Sequence, residues 1–101
     1  MANNPIFSIV IIGFNTEQSL KKLLASINNI ICEKKSLEVI YIDDGSTDNS
    51  LSLFKKYELK FKTTGFGFNQ NMGRVYATTR GIELAVGKWT PRRYLKDNRS
   101  D

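Results

Sequence analysis

Hydrophobic positions fall into two alternating kinds of block along this chain. Phe7, Ile9, Val10, Ile11 and Ile12 form an almost continuous, β-branched run, the pattern of a strand buried on both faces of a parallel sheet. Leu20, Leu23, Leu24, Ile27 and Ile30 then recur at steps of three and four, with Lys21, Lys22 and Asn29 facing out. That spacing predicts an amphipathic helix, with Asn15 or Thr16 as its cap. Leu37, Val39, Ile40, Tyr41 and Ile42 repeat the buried-strand pattern before the chain turns polar at Asp43-Asp44-Gly45-Ser46-Thr47-Asp48. Ser46 or Thr47 is expected to cap a second helix, with Asp48 in its first turn, where a negative charge suits the helix dipole. Leu51, Phe54 and Tyr57 give that helix an apolar face.

Leu59, Phe61 and Thr63 alternate with Lys60, Lys62 and Thr64, predicting a half-exposed strand at a sheet edge. A glycine- and asparagine-rich loop over 65–73 leads to a third helix with Ala77, Gly81, Leu84 and Ala85 on one face and Gly87 as its C-cap. Lys88-Trp89-Thr90 then opens a fourth strand. Strands alternating with helices predict an α/β fold, a doubly wound, mainly parallel sheet of three to four strands with three helices.

Composition narrows the chemistry. The 101 residues suffice for one core and one domain. No stretch approaches the roughly 20 apolar residues of a membrane helix, and the start lacks a basic region followed by an apolar one, so no membrane span and a cytoplasmic location are expected. Cys32, the single cysteine, stands beside Ile30 and Ile31 and is expected to be a small core residue. The absence of histidine excludes Ser-His-Asp hydrolysis, Cys-His proteolysis and histidine-ligated metals, leaving carboxylates as the candidate chemistry. A net charge of +5 suits an anionic ligand. Arg92, Arg93, Lys96 and Arg99 near the C-terminus supply much of it, so charge does not point to nucleic acid.

In doubly wound sheets ligands bind beyond the carboxyl ends of the strands. The segments there are Gly13-Phe14-Asn15-Thr16-Glu17 and Asp43 to Asp48. Paired carboxylates can accept hydrogen bonds from a ribose or a base N–H, or hold a divalent cation; the same residues also suit a plain turn and helix cap. Gly65-Phe66-Gly67 lacks the third glycine of a dinucleotide fingerprint. Arg74 or Arg80 could clamp a phosphate, or simply face solvent.

Three segments together carry a resemblance: Phe7 to Asn15, then Val39 to Asp48, then Asn71-Met72-Gly73 with Ala77 and Gly81. In order and spacing they are similar to glycosyltransferase family 2, over residues 6–90. The resemblance implies a partial GT-A, Rossmann-like nucleotide-binding half, residues 1–90, followed by a basic tail, 91–101. It implies a nucleoside-diphosphate sugar as ligand, UDP-linked by preference, and transfer of the sugar to a saccharide or lipid acceptor. The family's base contact maps to Asp44, and the loop under base and ribose to Ile12 through Asn15, with Asp43 and Asp48 shaping the acidic loop. The candidate nucleotide-binding set is thus Gly13, Phe14, Asn15, Glu17, Asp43, Asp44, Asn71 and Arg74.

The chain departs from the family pattern in three places. Gly13-Phe14-Asn15 stands where Pro-x-Tyr-Asn is usual, and Thr78-Thr79 where Arg-Asn is usual. The Asp-x-Asp pair that holds Mn²⁺ or Mg²⁺ in the family falls on Tyr94 and Lys96. The expectation is a truncated glycosyltransferase that binds donor without retaining a cofactor or a catalytic base. The alternative is a non-enzymatic module that self-associates through an exposed sheet edge.

Overall fold

The computed structural model describes residues 5–85 and the backbone of residues 94–96. Its elements run β1 (Phe7–Gly13), α1 (Glu17–Asn28), a 3-10 turn (Lys34–Ser36), β2 (Leu37–Asp43), α2 (Ser50–Lys56), β3 (Lys62–Gly67), α3 (Arg74–Leu84) and β4 (Tyr94–Lys96). The four strands form one sheet in the order β3-β2-β1-β4, every neighbouring pair parallel. The register pairs Gly13 with Asp43 and Asp43 with Gly67, so three strands end level. Strand order reverses between β1 and β4, and a crevice opens at the carboxyl ends beside such a reversal.

The apolar runs of β1 and β2, interrupted by the buried pair Ser8 and Glu38, serve both faces of this sheet. Ile11, Leu37, Val39 and Tyr41 pack with Leu20, Leu24 and Ile27 of α1 and Phe54 of α2. Val10, Ile12, Ile40 and Ile42 pack with Ala77 of α3 on the other face. Helices therefore cover both sides, the doubly wound α/β arrangement that the alternation of elements predicts. Gly81 lets α3 lie close to β1, since a Cβ there would stand 2.4 Å from Val10 Cγ1.

Local boundaries differ from the sequence expectation in four places. The second helix begins at Ser50 with Asn49 as N-cap, after Ser46 and Thr47. The third strand covers Lys62–Gly67, so Gly65 and Gly67 are strand residues and no phosphate loop forms there. They admit α2 onto the strand: a Cβ at Gly67 would lie 2.7 Å from Leu51 Cδ2, and one at Gly65 3.2 Å from Phe54 Cδ2. β3 does lie at the edge of the sheet. The third helix ends at Leu84, capped by Ala85, while Gly87 and the expected strand start at Lys88-Trp89-Thr90 lie outside the described residues. The fourth strand is Tyr94–Lys96, beside β1, inside the segment read as a tail.

Cys32 is exposed rather than buried. Helix α1 stops at Asn28, and the connection to β2 carries both Cys32 and Ile31, itself 96% exposed, over the surface. Among the described residues no helix is long and apolar enough to cross a membrane.

Candidate functional site

The candidate site is built from three loops at the carboxyl edge of the sheet. The loop after β1 meets the loop after β2 along the register pair Gly13 and Asp43, and the Asp44 N–H donates to the Gly13 carbonyl at 2.8 Å. The loop after β3 closes from the other side, where the Phe68 N–H donates to the Asp43 carbonyl at 2.9 Å.

Asn15 ties the first two loops together. Its backbone is left-handed, with φ of 54°, a conformation that asparagine tolerates better than most residues. Its Oδ1 accepts the Thr47 N–H at 2.9 Å and the Asp48 N–H at 3.3 Å, while its own N–H donates to Ser46 Oγ at 2.8 Å. Thr16 is the N-cap residue of α1, one of the two expected, although its side chain makes no capping bond. Asn15 caps the acidic turn instead, and Thr16 Oγ1 meets the Tyr41 hydroxyl at 3.0 Å.

The two helices that leave these loops cap each other. The Glu17 N–H, at the start of α1, donates to Asp48 Oδ2 at 3.2 Å, and the Asn49 N–H, before α2, donates to Glu17 Oε1 at 3.2 Å. Asp48 Oδ1 also accepts the Ser50 N–H at 3.0 Å. Each carboxylate thus satisfies a helix-start donor that the helix cannot satisfy itself. Burial opposes the charged form of Asp48, and the Ser50 hydroxyl with the surrounding backbone N–H groups more than offsets it, holding its carboxyl below the usual carboxylate range.

The paired acids divide their work. Asp43 accepts the Ser46 N–H at 2.9 Å and the Ser46 hydroxyl at 2.6 Å, together with the Tyr41 hydroxyl at 3.1 Å, so its carboxylate shapes the acidic turn. Asp44 reaches across to the third loop, where its oxygens accept the Met72 N–H at 2.8 Å and the Gly73 N–H at 3.2 Å. Between the two loops Gly45 adopts φ of 80°, and a Cβ on it would stand 2.3 Å from the Gln70 carbonyl carbon. Only glycine meets both the left-handed backbone and the close approach.

All eight residues expected at the site lie at this edge. Gly13 ends β1, Phe14 and Asn15 follow it and Glu17 opens α1; Asp43 ends β2 and Asp44 follows it, and the bonds to Met72 and Gly73 bring the segment from Asn71 to Arg74 to Asp44. Asn71 and Arg74 are exposed, Phe14 is half-buried, and Asp43 and Asp44 are each 4% exposed. Tyr41, Thr16, Ser46 and Ser50 belong to the same network; Thr16 and Ser46 lie in the loops expected at the site, whereas Tyr41 and Ser50 are additions that the sequence did not suggest. Their partners lie as far as 34 residues away, and the available signal was a hydroxyl within an apolar strand pattern.

A divalent cation fits poorly here. Among the described residues no group of three or more histidine, cysteine, aspartate or glutamate side chains could hold one. Asp43 and Asp44 alone supply too few oxygen ligands for such a cation, and the residues at the family's Asp-x-Asp positions, Tyr94 and Lys96, are not carboxylates.

Residues 8–90 match the family model described as glycosyl transferase family 2. An uncharacterized glycosyltransferase, YibD, of Escherichia coli (strain K12) is 34% identical over 81% of this chain, which spans 23% of that protein. Among solved structures, S. aureus TarS 1-349 in complex with UDP superposes with a TM-score of 0.78 at 25% identity, over 89% of this chain and 26% of that one. The mannosyltransferase PcManGT of Pyrobaculum calidifontis, in complex with GDP-Man and Mn²⁺, shares the fold with a TM-score of 0.79 at 19% identity, over 86% of this chain and 26% of that one. The chain spans roughly a quarter of each of these proteins.

Proposed function

The chain belongs to glycosyl transferase family 2, and from that premise we propose that it recognises the nucleoside diphosphate of a sugar donor, UDP by preference. In this reading it serves transfer of the sugar to a saccharide or lipid acceptor in the cytoplasm. The observation that carries the reading is the convergence of three loops on Asp44, whose carboxylate is pinned by the Met72 and Gly73 N–H groups at the edge where doubly wound sheets bind ligands. A carboxylate oxygen has two lone pairs, so Asp44 retains acceptor capacity for the N3–H of uracil. Phe14 offers a ring beneath base and ribose, and Asn15 leaves its Nδ2 group as a donor beside them. In this reading Arg74, at the first position of α3, meets a phosphate, where its charge and the helix N-terminus would act in the same direction. The TarS neighbour in complex with UDP supports the choice of base.

In this reading the carboxyl groups described act in recognition of the donor. The test is a titration of the purified chain with UDP, followed by backbone amide shifts. Shifts should concentrate at Asn15, Asp44 and Arg74, and Asp44→Asn should weaken binding at least ~10-fold, the range for a lost hydrogen bond to a charged group. CDP, whose base has no N3–H, should bind more weakly than UDP. An unchanged spectrum at millimolar UDP would end the nucleotide reading.

A further inference from the structure

The side chain that joins the sheet core to the site loops is Tyr41. It is fully buried, and its ring stacks on Phe54 with centroids 5.1 Å apart and planes 21° apart. At the other end its hydroxyl donates to Asp43 Oδ1 at 3.1 Å. An ionised carboxylate only accepts, so the 3.0 Å contact with Thr16 is assigned as a hydrogen bond donated by Thr16 Oγ1. Two relays therefore converge on Asp43: Thr16 through the Tyr41 hydroxyl, and the Asn15 N–H through Ser46 Oγ.

Gly13 completes the arrangement. A Cβ at that position would lie 2.6 Å from the Tyr41 hydroxyl and 2.9 Å from its Cε1. The tyrosine occupies the space that any side chain at residue 13 would need. Burial, the larger effect, and the neighbouring Asp43 charge both hold the Tyr41 hydroxyl far above its ordinary pKa, so it stays protonated and donates throughout the accessible pH range.

We propose that Tyr41 is a positioning residue for the site: its buried hydroxyl, admitted by Gly13, holds the loop 13–16 on Asp43 in the conformation that meets the nucleotide. The nucleotide half of this statement rests on the function proposed above, whereas the loop-positioning half is independent of it. Thr16 and Asp43 touch Tyr41 directly, and Asp44 is set through its own bond to the Gly13 carbonyl.

The experiment compares Tyr41→Phe, Thr16→Val and Thr16→Ser in the whole chain by amide spectra and UDP titration. Tyr41→Phe should shift the Asn15, Thr16 and Ser46 amides while leaving those of α3 in place, and should weaken UDP binding ~10-fold, the effect of one lost buried hydrogen bond. Thr16→Val should reproduce both changes, Thr16→Ser should restore wild-type behaviour, and the Tyr41→Phe/Thr16→Val double variant should be no weaker than either single one. Denaturant melts supply a second, ligand-free readout. Gly13→Ala should destabilise the wild type more than it destabilises Tyr41→Val, which vacates the contested space. Wild-type amide shifts at Asn15 and Ser46 in Tyr41→Phe, or equal Gly13→Ala penalties in both backgrounds, would overturn the positioning role. If amides and melts behave as expected but UDP binds neither protein, the nucleotide reading alone has failed.

Discussion

Asp48 stabilises two helices from one loop position, and it does so through its charge. It accepts the Glu17 N–H ahead of α1 and the Ser50 N–H and hydroxyl ahead of α2, and these donors lower its pKa in the folded chain. A carboxyl whose folded pKa is depressed adds stability that is present above its unfolded value and lost as pH falls through the folded one. Asp48→Ala should therefore cost about 0.5–1 kcal/mol at neutral pH, a figure that already allows for solvent screening of a half-buried group. Denaturant melts across pH should show a constant gap between wild type and variant in the neutral range, closing below about pH 4, the unfolded range of an aspartate. A gap that persists in acid would assign the stabilisation to packing instead of charge. Spacing alone placed Asp48 next to a helix start, but its bond to Glu17 spans 31 residues and follows from the parallel pairing of β1 and β2, which no local pattern expresses.

At the scale of elements, α2 depends on a single anchor. It has seven residues, of which Ser50 and Phe54 are buried, and a helix so short gains little from its own hydrogen bonds. Phe54 packs on Tyr41 and within the cluster shared with α1. Phe54→Ala should cost about 3–5 kcal/mol, the range for a buried aromatic side chain, and amide exchange over residues 50–57 should accelerate before that of β2. Exchange that rises uniformly across the chain would show that α2 is not a separable unit. Elements with dense apolar patterns were legible in sequence: β1, α1 and β2 emerge where Ile9 to Ile12, Leu20 to Ile27 and Val39 to Ile42 place them. The third strand was displaced because Gly65 and Gly67 read as breakers, whereas the close approach of Leu51 and Phe54 requires their small size. The second helix was started early because Ser46, Thr47 and Asp48 all have cap chemistry, and only the bonds made by Asn15 and Glu17 decide which donors each one serves. Cys32 was placed in the core by its apolar neighbours, although α1 ends four residues before it.

For the molecule as a whole, the proposed function puts the contacts to base and ribose at one edge of the sheet, with Arg74 as the contact to the diphosphate. Gly13, Phe14, Asn15 and Asp44 stand at the carboxyl ends of β1 and β2, while the described residues contain no cluster of three or more acidic, cysteine or histidine side chains able to hold a cation, and the chain spans 22% to 35% of the first curated relatives it matches. A cation in such enzymes offsets the charge on the departing diphosphate, whereas the proposed contacts to base and ribose involve none. UDP should accordingly bind with the same Kd, within about twofold, in the presence and absence of Mn²⁺ or Mg²⁺, a difference under ~0.5 kcal/mol. Uridine should retain most of the affinity, with Arg74→Ala reducing the remaining advantage of UDP over uridine. Calorimetric titrations with the three ligand conditions check this directly. Metal-dependent tightening of about tenfold or more would overturn this expectation and add a cation to the proposed recognition of the donor.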